Sequence, residues 1–110
     1  MSNIAEIQYK KGDSEKALDL YTQSLNIAKE LGDLYGTGQT LNNMSAIYHN
    51  KGEYDYALFY ALQSYEILKR LNIPELQRSL DIVSSIRETI GTEDFNILEY
   101  NTKLKINGLG

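Results

Sequence analysis

The chain repeats itself every 40 residues, and this period constrains its fold more than any other feature of the sequence. Residues 7–31 align without a gap to residues 47–71, and ten of the 25 aligned pairs are identical, including Gly12 with Gly52. A unit of this length cannot bury its apolar face alone and must stack on a neighbour. The sequence therefore predicts a solenoid of stacked units.

Turn residues divide each unit into two helices. In the second copy, apolar residues recur at helical spacing on both sides of Gly52, which suits the left-handed residue that ends a helix. Asn72 is predicted to close the next helix, Pro74 to stand in the first turn of a fifth, and Thr92 to be the N-cap of a sixth. No strand pattern appears, so we predict an all-α fold of six helices in three antiparallel pairs. The pairs are expected at about residues 1–32, 36–72 and 74–107 of one domain, 1–110.

The composition excludes several classes of function. The 110 residues carry 11 Lys and Arg against 15 Asp and Glu, a net charge of −4, and no Cys. This leaves no disulfide, no Cys-based zinc site and no thiol catalysis, and the lack of a basic stripe argues against a nucleic-acid partner. No apolar run approaches the roughly 20 residues of a membrane helix, and the N-terminus lacks an apolar signal segment. We therefore expect no membrane association and a cytoplasmic location.

The second copy also carries a known signature, which runs large apolar, Leu, small, Tyr, Gly, Tyr, Ala-Leu, aromatic, small. The corresponding places in this copy are Leu41, Met44, Ser45, Tyr48, Gly52, Tyr54, Ala57, Leu58, Ala61 and Ser64. This stretch resembles the tetratricopeptide repeat. The common period of that family is about 34, so the period of 40 here resembles a subclass with longer helices found in scaffold and sensor proteins. The resemblance implies an α-solenoid, a tetratricopeptide superhelix of about three helix pairs.

The first and third copies follow the signature less completely. The first copy keeps Ile4, Ala5, Gly12, Ala17, Leu18, Tyr21 and Ser24. The third keeps Gly91 and Tyr100, but Asn96 stands where a small residue is expected. The tyrosines that the resemblance places on packing positions are Tyr21, Tyr48, Tyr54, Tyr65 and Tyr100. Those left for a partner or a second copy to explain are Tyr9, Tyr35, Tyr56 and Tyr60.

In tetratricopeptide repeats the first helix of each pair lines a concave groove that receives a peptide. The resemblance therefore implies a protein or peptide partner, with Asn43 at the place where many repeats carry an Asn that bonds the backbone of the partner. The other expected groove residues are Gln39, Asn42, Ala46, His49 and Asn50 on the third helix, Glu6, Tyr9 and Lys10 on the first, and Arg78, Asp81 and Ser85 on the fifth. The alternative is that these side chains only keep their helices hydrated.

Two apolar surfaces suggest contacts between copies of the chain. Tyr56, Phe59 and Tyr60, here called the aromatic patch, lie beside the core stripe of the fourth helix and mark either an interface or scattered surface rings. The sixth helix has a wide apolar set that includes Ile97, Leu98 and Leu104. One side of this helix packs on the fifth, so the other predicts a homodimer through the exposed array ends or a missing neighbour.

Enzymatic function has no support in the sequence. There is no Gly-rich phosphate loop, no metal-ligand spacing and no nucleophile elbow, and His49 is the only histidine, so it has no partners for catalysis or metal binding. We predict a non-catalytic protein–protein interaction module without a cofactor, a scaffold or regulatory array with a concave peptide groove. The alternative is a structural homo-oligomerisation segment of a larger signalling protein, with no peptide ligand.

Overall fold

Five α-helices account for nearly all of the part of the chain that the structure, a computed structural model, describes, which is residues 13–108. The helices are α1 (Ser14–Glu30), α2 (Leu34–Asn50), α3 (Tyr54–Arg70), α4 (Leu76–Ile90) and α5 (Thr92–Ile106). They are the second to sixth helices of the prediction, and the predicted first helix around Ile4 and Ile7 lies outside the described residues. The all-α architecture of a helical repeat array is confirmed.

Three of the turns are built in the same way, which is the structural form of the sequence repeat. Gly32, Gly52 and Asn72 follow the ends of α1, α2 and α3 with φ of 68°, 79° and 57°. In each turn the next N–H donates to the carbonyl five positions earlier, at 2.8 to 2.9 Å. This is the hydrogen bond of a Schellman motif, which satisfies carbonyls that the helix leaves without partners. The predicted roles of Gly52 and Asn72 are confirmed.

Two helix starts differ from the prediction. Pro74 lies two residues before α4, which begins at Leu76. The chain enters the helix through a tighter turn, in which the N–H groups of Leu76 and Gln77 donate to carbonyls three positions earlier, at 3.2 and 3.1 Å. Thr92 is the first residue of α5 and does not cap it. The flanking residue is Gly91, which at φ 91° makes the sharp turn between α4 and α5 and has no side chain to cap with.

Two apolar clusters form the core of the described part of the chain. The first joins α1 and α2 through Ala17, Leu18, Tyr21, Leu25, Leu41, Met44 and Ile47. The second joins α3, α4 and α5 through Ala57, Leu58, Ile86 and Phe95. The half-buried Tyr48 packs against both clusters and so links them. The helix α3 contacts α2, α4 and α5, which makes it the central element of residues 13–108.

The register of α5 departs from the predicted one. Tyr100 was expected at a packing position, but its side chain is 66% exposed, whereas Phe95 and Thr102 are buried. Phe95 and Thr102 are seven residues apart and share one face of the helix, whereas Tyr100 lies about 140° around the axis from Phe95. The large ring of Phe95 occupies the second cluster, and with it inside, Tyr100 is turned outward.

Candidate functional site

On the accessible surface, polar side chains from α2 and α4 meet at two places, and the four residues involved are here called the α2–α4 face. Arg78 Nη2 on α4 donates to Asn43 Oδ1 on α2 at 3.3 Å. Arg78 is exposed and Asn43 is half-buried, so both remain accessible from the solvent. Two groove residues predicted on separate helices are therefore neighbours in space.

The second contact of the α2–α4 face joins His49 and Ser85. Their Nε2 and Oγ atoms lie 2.9 Å apart, and both residues are half-buried. The imidazole also packs at 5.8 Å from the ring of Tyr54, tilted by 53°. Because the ring is held by a hydroxyl and an aromatic neighbour, its position along the face is fixed.

The polar face of α2 extends beyond these contacts toward the start of the helix. Gln39 Nε2 donates to the hydroxyl of Tyr35 at 2.7 Å, and the side chain of Tyr35 is 45% exposed. Tyr35, Gln39 and Asn43 are spaced by four residues and share one side of the helix. The sequence analysis left Tyr35 for a partner or a second copy to explain but did not assign it to the groove, although the spacing of four before Gln39 was the available signal.

The remaining predicted groove residues lie on α2 and α4 or outside the described residues. Ala46 is half-buried and Asn50 is exposed, and both belong to α2. On α4, the exposed Asp81 accepts a hydrogen bond from Gln77 Nε2 at 2.9 Å, within its own helix. The residues expected from the first helix that fall outside residues 13–108 are Glu6, Tyr9 and Lys10.

Asn42 does not lie on the accessible face where it was expected. Its side chain is fully buried, with 0% exposure. Asn42 Nδ2 donates to the Glu75 carbonyl at 3.3 Å, and its Oδ1 accepts from Ser79 Oγ at 2.9 Å. The side chain is turned inward because the start of α4 supplies both partners that a buried amide needs. Asn42 therefore presents nothing to a partner and acts inside the fold.

Asn42 is one member of a buried polar network that spans α2, α3 and α4. Ser79 Oγ lies 3.3 Å from Ser64 Oγ, which donates to the Gly38 carbonyl at 2.7 Å. Gly38 is needed there, since a Cβ would lie 2.8 Å from Leu68 Cδ2 on α3. Buried networks whose members are satisfied favour one packing arrangement over others. This network joins the second predicted unit to the third and fixes the spacing of the α2–α4 face.

The aromatic patch is partly engaged inside the molecule. Tyr48 stacks on Tyr56 with ring centres 5.1 Å apart and on Tyr60 at 5.5 Å, and Phe59 meets Tyr60 edge-on at 5.2 Å. Burial raises the pKa of both Tyr48 and Tyr60, and neighbouring phenols add to the shift. Tyr56 is 50% exposed. The patch thus supports the packing of α2 on α3 and leaves one ring largely open.

On α5 the predicted apolar interface divides into an inner and an outer part. Leu98 is half-buried and packs against the second core cluster, so part of its side chain is used inside the fold. Ile97 is 59% exposed, Leu104 is half-buried, and Tyr100 joins them on the outside. Among residues 13–108, no group of three or more His, Cys, Asp or Glu side chains could hold a metal ion. None of the helices there is both long and apolar enough to cross a membrane.

Comparison with known proteins agrees with this architecture. The sequence model of the tetratricopeptide repeat family matches residues 1–70, more than half of the chain. The chain belongs to the tetratricopeptide repeat family. It is accordingly a protein–protein interaction module, of a family that is generally non-catalytic.

One curated relative is the photosystem I assembly protein Ycf3 of Cyanophora paradoxa. It is 43% identical over 51 residues, which cover 46% of this chain and 26% of that protein. The matched segment therefore spans about a quarter of the length of the relative. No solved structure matches the chain.

Proposed function

We propose that the chain is a scaffold or regulatory array that binds a peptide segment of a partner protein along the α2–α4 face, with Asn43 at its centre. The observation that carries the proposal is the pair of contacts, Asn43 with Arg78 and His49 with Ser85, that brings polar side chains of two helices into one accessible surface. We expect Glu6, Tyr9 and Lys10 of the predicted first helix to extend this surface.

The hydrogen-bonding groups of the α2–α4 face suit an extended backbone. Arg78 holds Asn43 Oδ1, and this orients the amide so that its Nδ2 group can donate to a carbonyl of the partner. One N–H of Arg78 is used in this contact, whereas the guanidinium has five. The carboxylate of Asp81 adds an acceptor one turn along α4. Because two helices form only a short groove, we expect micromolar affinity, about −8 kcal/mol.

Substitution of Asn43 tests the proposal. We expect Asn43→Ala to weaken binding of a captured partner by about 1 kcal/mol, roughly fivefold, since one hydrogen bond is lost. Captured proteins from the native lysate would be titrated against the wild-type chain and the variant. Asn101→Ala, which removes an exposed amide from α5, is the matched control. Equal affinities of the folded Asn43→Ala variant and the wild type would contradict the role of the α2–α4 face.

A structural homo-oligomerisation segment is the second candidate function, and the outer side of α5 favours it. Ile97 and Tyr100 are 59% and 66% exposed, and with Leu104 they form an apolar stripe on one helix. Sedimentation equilibrium of the wild-type chain and of Ile97→Ser tests this candidate. A mass above 12.5 kDa that falls in the variant would support it, and a monomer at every concentration would exclude it.

The location and the absence of catalysis also stay predictions. We propose a cytoplasmic, non-catalytic protein, and the word assembly in the name of the relative supports a scaffold role. Fractionation of cells that express the tagged full-length protein tests the location. Recovery with membranes or in an organelle would contradict it.

A further inference from the structure

A cavity of about 480 Å³ lies between α3 and the end of α5, on different helices from the α2–α4 face. We call it the α3–α5 cavity. Its lining consists of Leu62, Gln63, Glu66, Ile67, Arg70, Lys103, Ile106 and Asn107. The volume is within the range of about 300–1,000 Å³ that is typical of ligand sites. The cavity therefore has room for a bulky side chain and the backbone on either side of it.

The inner wall of the α3–α5 cavity is apolar and is held in place by the core. Leu62 packs against the second core cluster and Ile67 against the first, so neither side chain can close the space without disturbing a cluster. Ile106, in the last turn of α5, also lines the cavity and is 36% exposed. An apolar side chain of a partner would be desolvated on three sides here, which favours binding.

The rim of the α3–α5 cavity carries two cations and one carboxylate. Arg70 is exposed and forms no ion pair within residues 13–108, although Glu66 precedes it by one turn of α3. The ammonium of Lys103 pairs with Glu99 at 3.7 Å on the surface, where an ion pair is weak and easily exchanged. The residues that line the cavity therefore have a net charge of +1 in a chain with a net charge of −4, and Glu99 lies beside Lys103 outside the lining.

Helix-end electrostatics accounts for the cations themselves but not for where they converge. Arg70 and Lys103 stand in the last turns of α3 and α5, where positive charge is favoured. Lys29 has the same position on α1 without lining this cavity. What distinguishes Arg70 and Lys103 is that two helix ends bring them to one apolar cavity.

From this geometry we infer that the α3–α5 cavity is a second protein-binding site, which takes an acidic peptide segment with one large apolar side chain. The apolar side chain packs on Leu62, Ile67 and Ile106. Flanking carboxylates pair with the guanidinium of Arg70 and the ammonium of Lys103. Glu66 disfavours a segment that would place further carboxylates next to Glu66. The two binding surfaces share no residue, so both can be occupied at once.

The test uses a fluorescein-labelled peptide of sequence Glu-Glu-Gly-Phe-Glu-Glu with blocked ends, titrated by fluorescence anisotropy. We expect saturable binding that weakens when the salt is raised to about 0.5 M, because exposed ion pairs are screened. Arg70→Gln should weaken binding about tenfold and Ile106→Ser about fivefold. The matched controls Lys29→Gln and Ile97→Ser remove a helix-end cation and an exposed isoleucine elsewhere, and should leave binding unchanged.

Three results would overturn the inference. One is equal binding of a peptide with Gln in place of every Glu, since the cations would then play no part. Another is binding that Arg70→Gln leaves intact but Asn43→Ala abolishes, since the peptide would then occupy the α2–α4 face. The third is no binding of the peptide together with a concentration-dependent mass that Arg70→Gln lowers, which would assign the cavity to a second copy of the chain. Circular dichroism of each variant verifies that the helices are retained.

Discussion

The helices α3 and α5 are the second helices of consecutive units, yet their surfaces are used differently. Five side chains of α3 have no exposed surface: Ala57, Leu58, Ala61, Ser64 and Leu68. On α5 only Phe95 and Thr102 are buried, and Ile97 and Tyr100 lie outside. α3 is packed against α2, α4 and α5, whereas within residues 13–108 α5 contacts α3 and α4.

The difference shows how the neighbours of a helix determine which residues it needs. Between close neighbours, α3 carries Ala57, Ala61 and Ser64, whose small side chains let helix axes approach. At the place of Ala57, α5 has Asn96, which is exposed. Helix α5 therefore packs through one large ring, Phe95, instead of a row of small residues. A helix that packs against more neighbours accepts fewer residue types at its packed positions.

The largest expected effect concerns the two aromatic residues of α5. Phe95→Ala should lower the free energy of unfolding by about 3–5 kcal/mol, because the ring is fully buried and its removal leaves a cavity. Tyr100→Ala should change it by no more than about 0.5 kcal/mol, since that ring is exposed. Urea denaturation of both variants measures the difference. A greater loss from Tyr100→Ala would show that α5 keeps the register of the repeat signature.

A smaller effect compares the two helices directly. Leu58 and Ile97 hold the same position after Gly52 and Gly91, but Leu58 has 0% exposure and Ile97 has 59%. Leu58→Ala should cost about 2–5 kcal/mol in free energy of unfolding. Ile97→Ala should stay within about 0.5 kcal/mol. Similar losses in the two urea titrations would mean that both helices are covered equally, contrary to the structure.

Removing the buried amide tests the joint between the units. Asn42→Ala should destabilise the chain by about 1–3 kcal/mol, because a fully buried side chain loses its hydrogen bonds to the Glu75 carbonyl and to Ser79 Oγ. The neighbouring Asn43→Ala should cost less, because Asn43 is half-buried and its contact with Arg78 is exposed. Thermal unfolding of the two variants shows which substitution costs more stability. The reverse order would place Asn43, not Asn42, inside.

The smallest effect is at high pH and involves Tyr48. Burial raises the pKa of its phenol above the ordinary value of 10.0, so the unfolded chain loses this proton first. The stability that Tyr48 contributes is therefore complete below about pH 10 and falls as the pH rises through the higher pKa of the folded state. In urea titrations between pH 9 and about 11, the free energy of unfolding should fall less steeply with pH for Tyr48→Phe than for the wild type. Tyr35→Phe, on an exposed ring, is the control, and parallel curves for all three proteins would refute the expectation.

The parts of the fold that could be predicted are those that depend on residues close together in the sequence. The period of 40 and the turns at Gly52 and Asn72 are local patterns, and the structure reproduces them. The burial of Asn42 was not predictable in this way, since along α2 it is indistinguishable from Asn43. Only the arrival of Glu75 and Ser79 from α4 turns it inward.

The candidate sites show the same limit. The family resemblance assigned Asn43 and Arg78 to one groove, and the structure brings the two side chains into contact. The α3–α5 cavity depends on where the end of α5 lies against α3, and Tyr100 shows that the register of α5 does not follow the repeat. No pattern in the sequence predicts where the end of α5 lies against α3.

The most direct test of the central claim is site-specific crosslinking, which is simple here because the chain has no Cys. A benzophenone would be attached to a single cysteine introduced as Gln39→Cys, one turn of α2 before Asn43 of the α2–α4 face, or as Asn101→Cys on α5. We expect irradiation in native lysate to join a partner to the Gln39→Cys protein. Excess unlabelled wild-type chain should suppress this product, and excess Asn43→Ala should suppress it less. Crosslinks from Asn101→Cys alone, or equal competition by the two chains, would contradict the central claim.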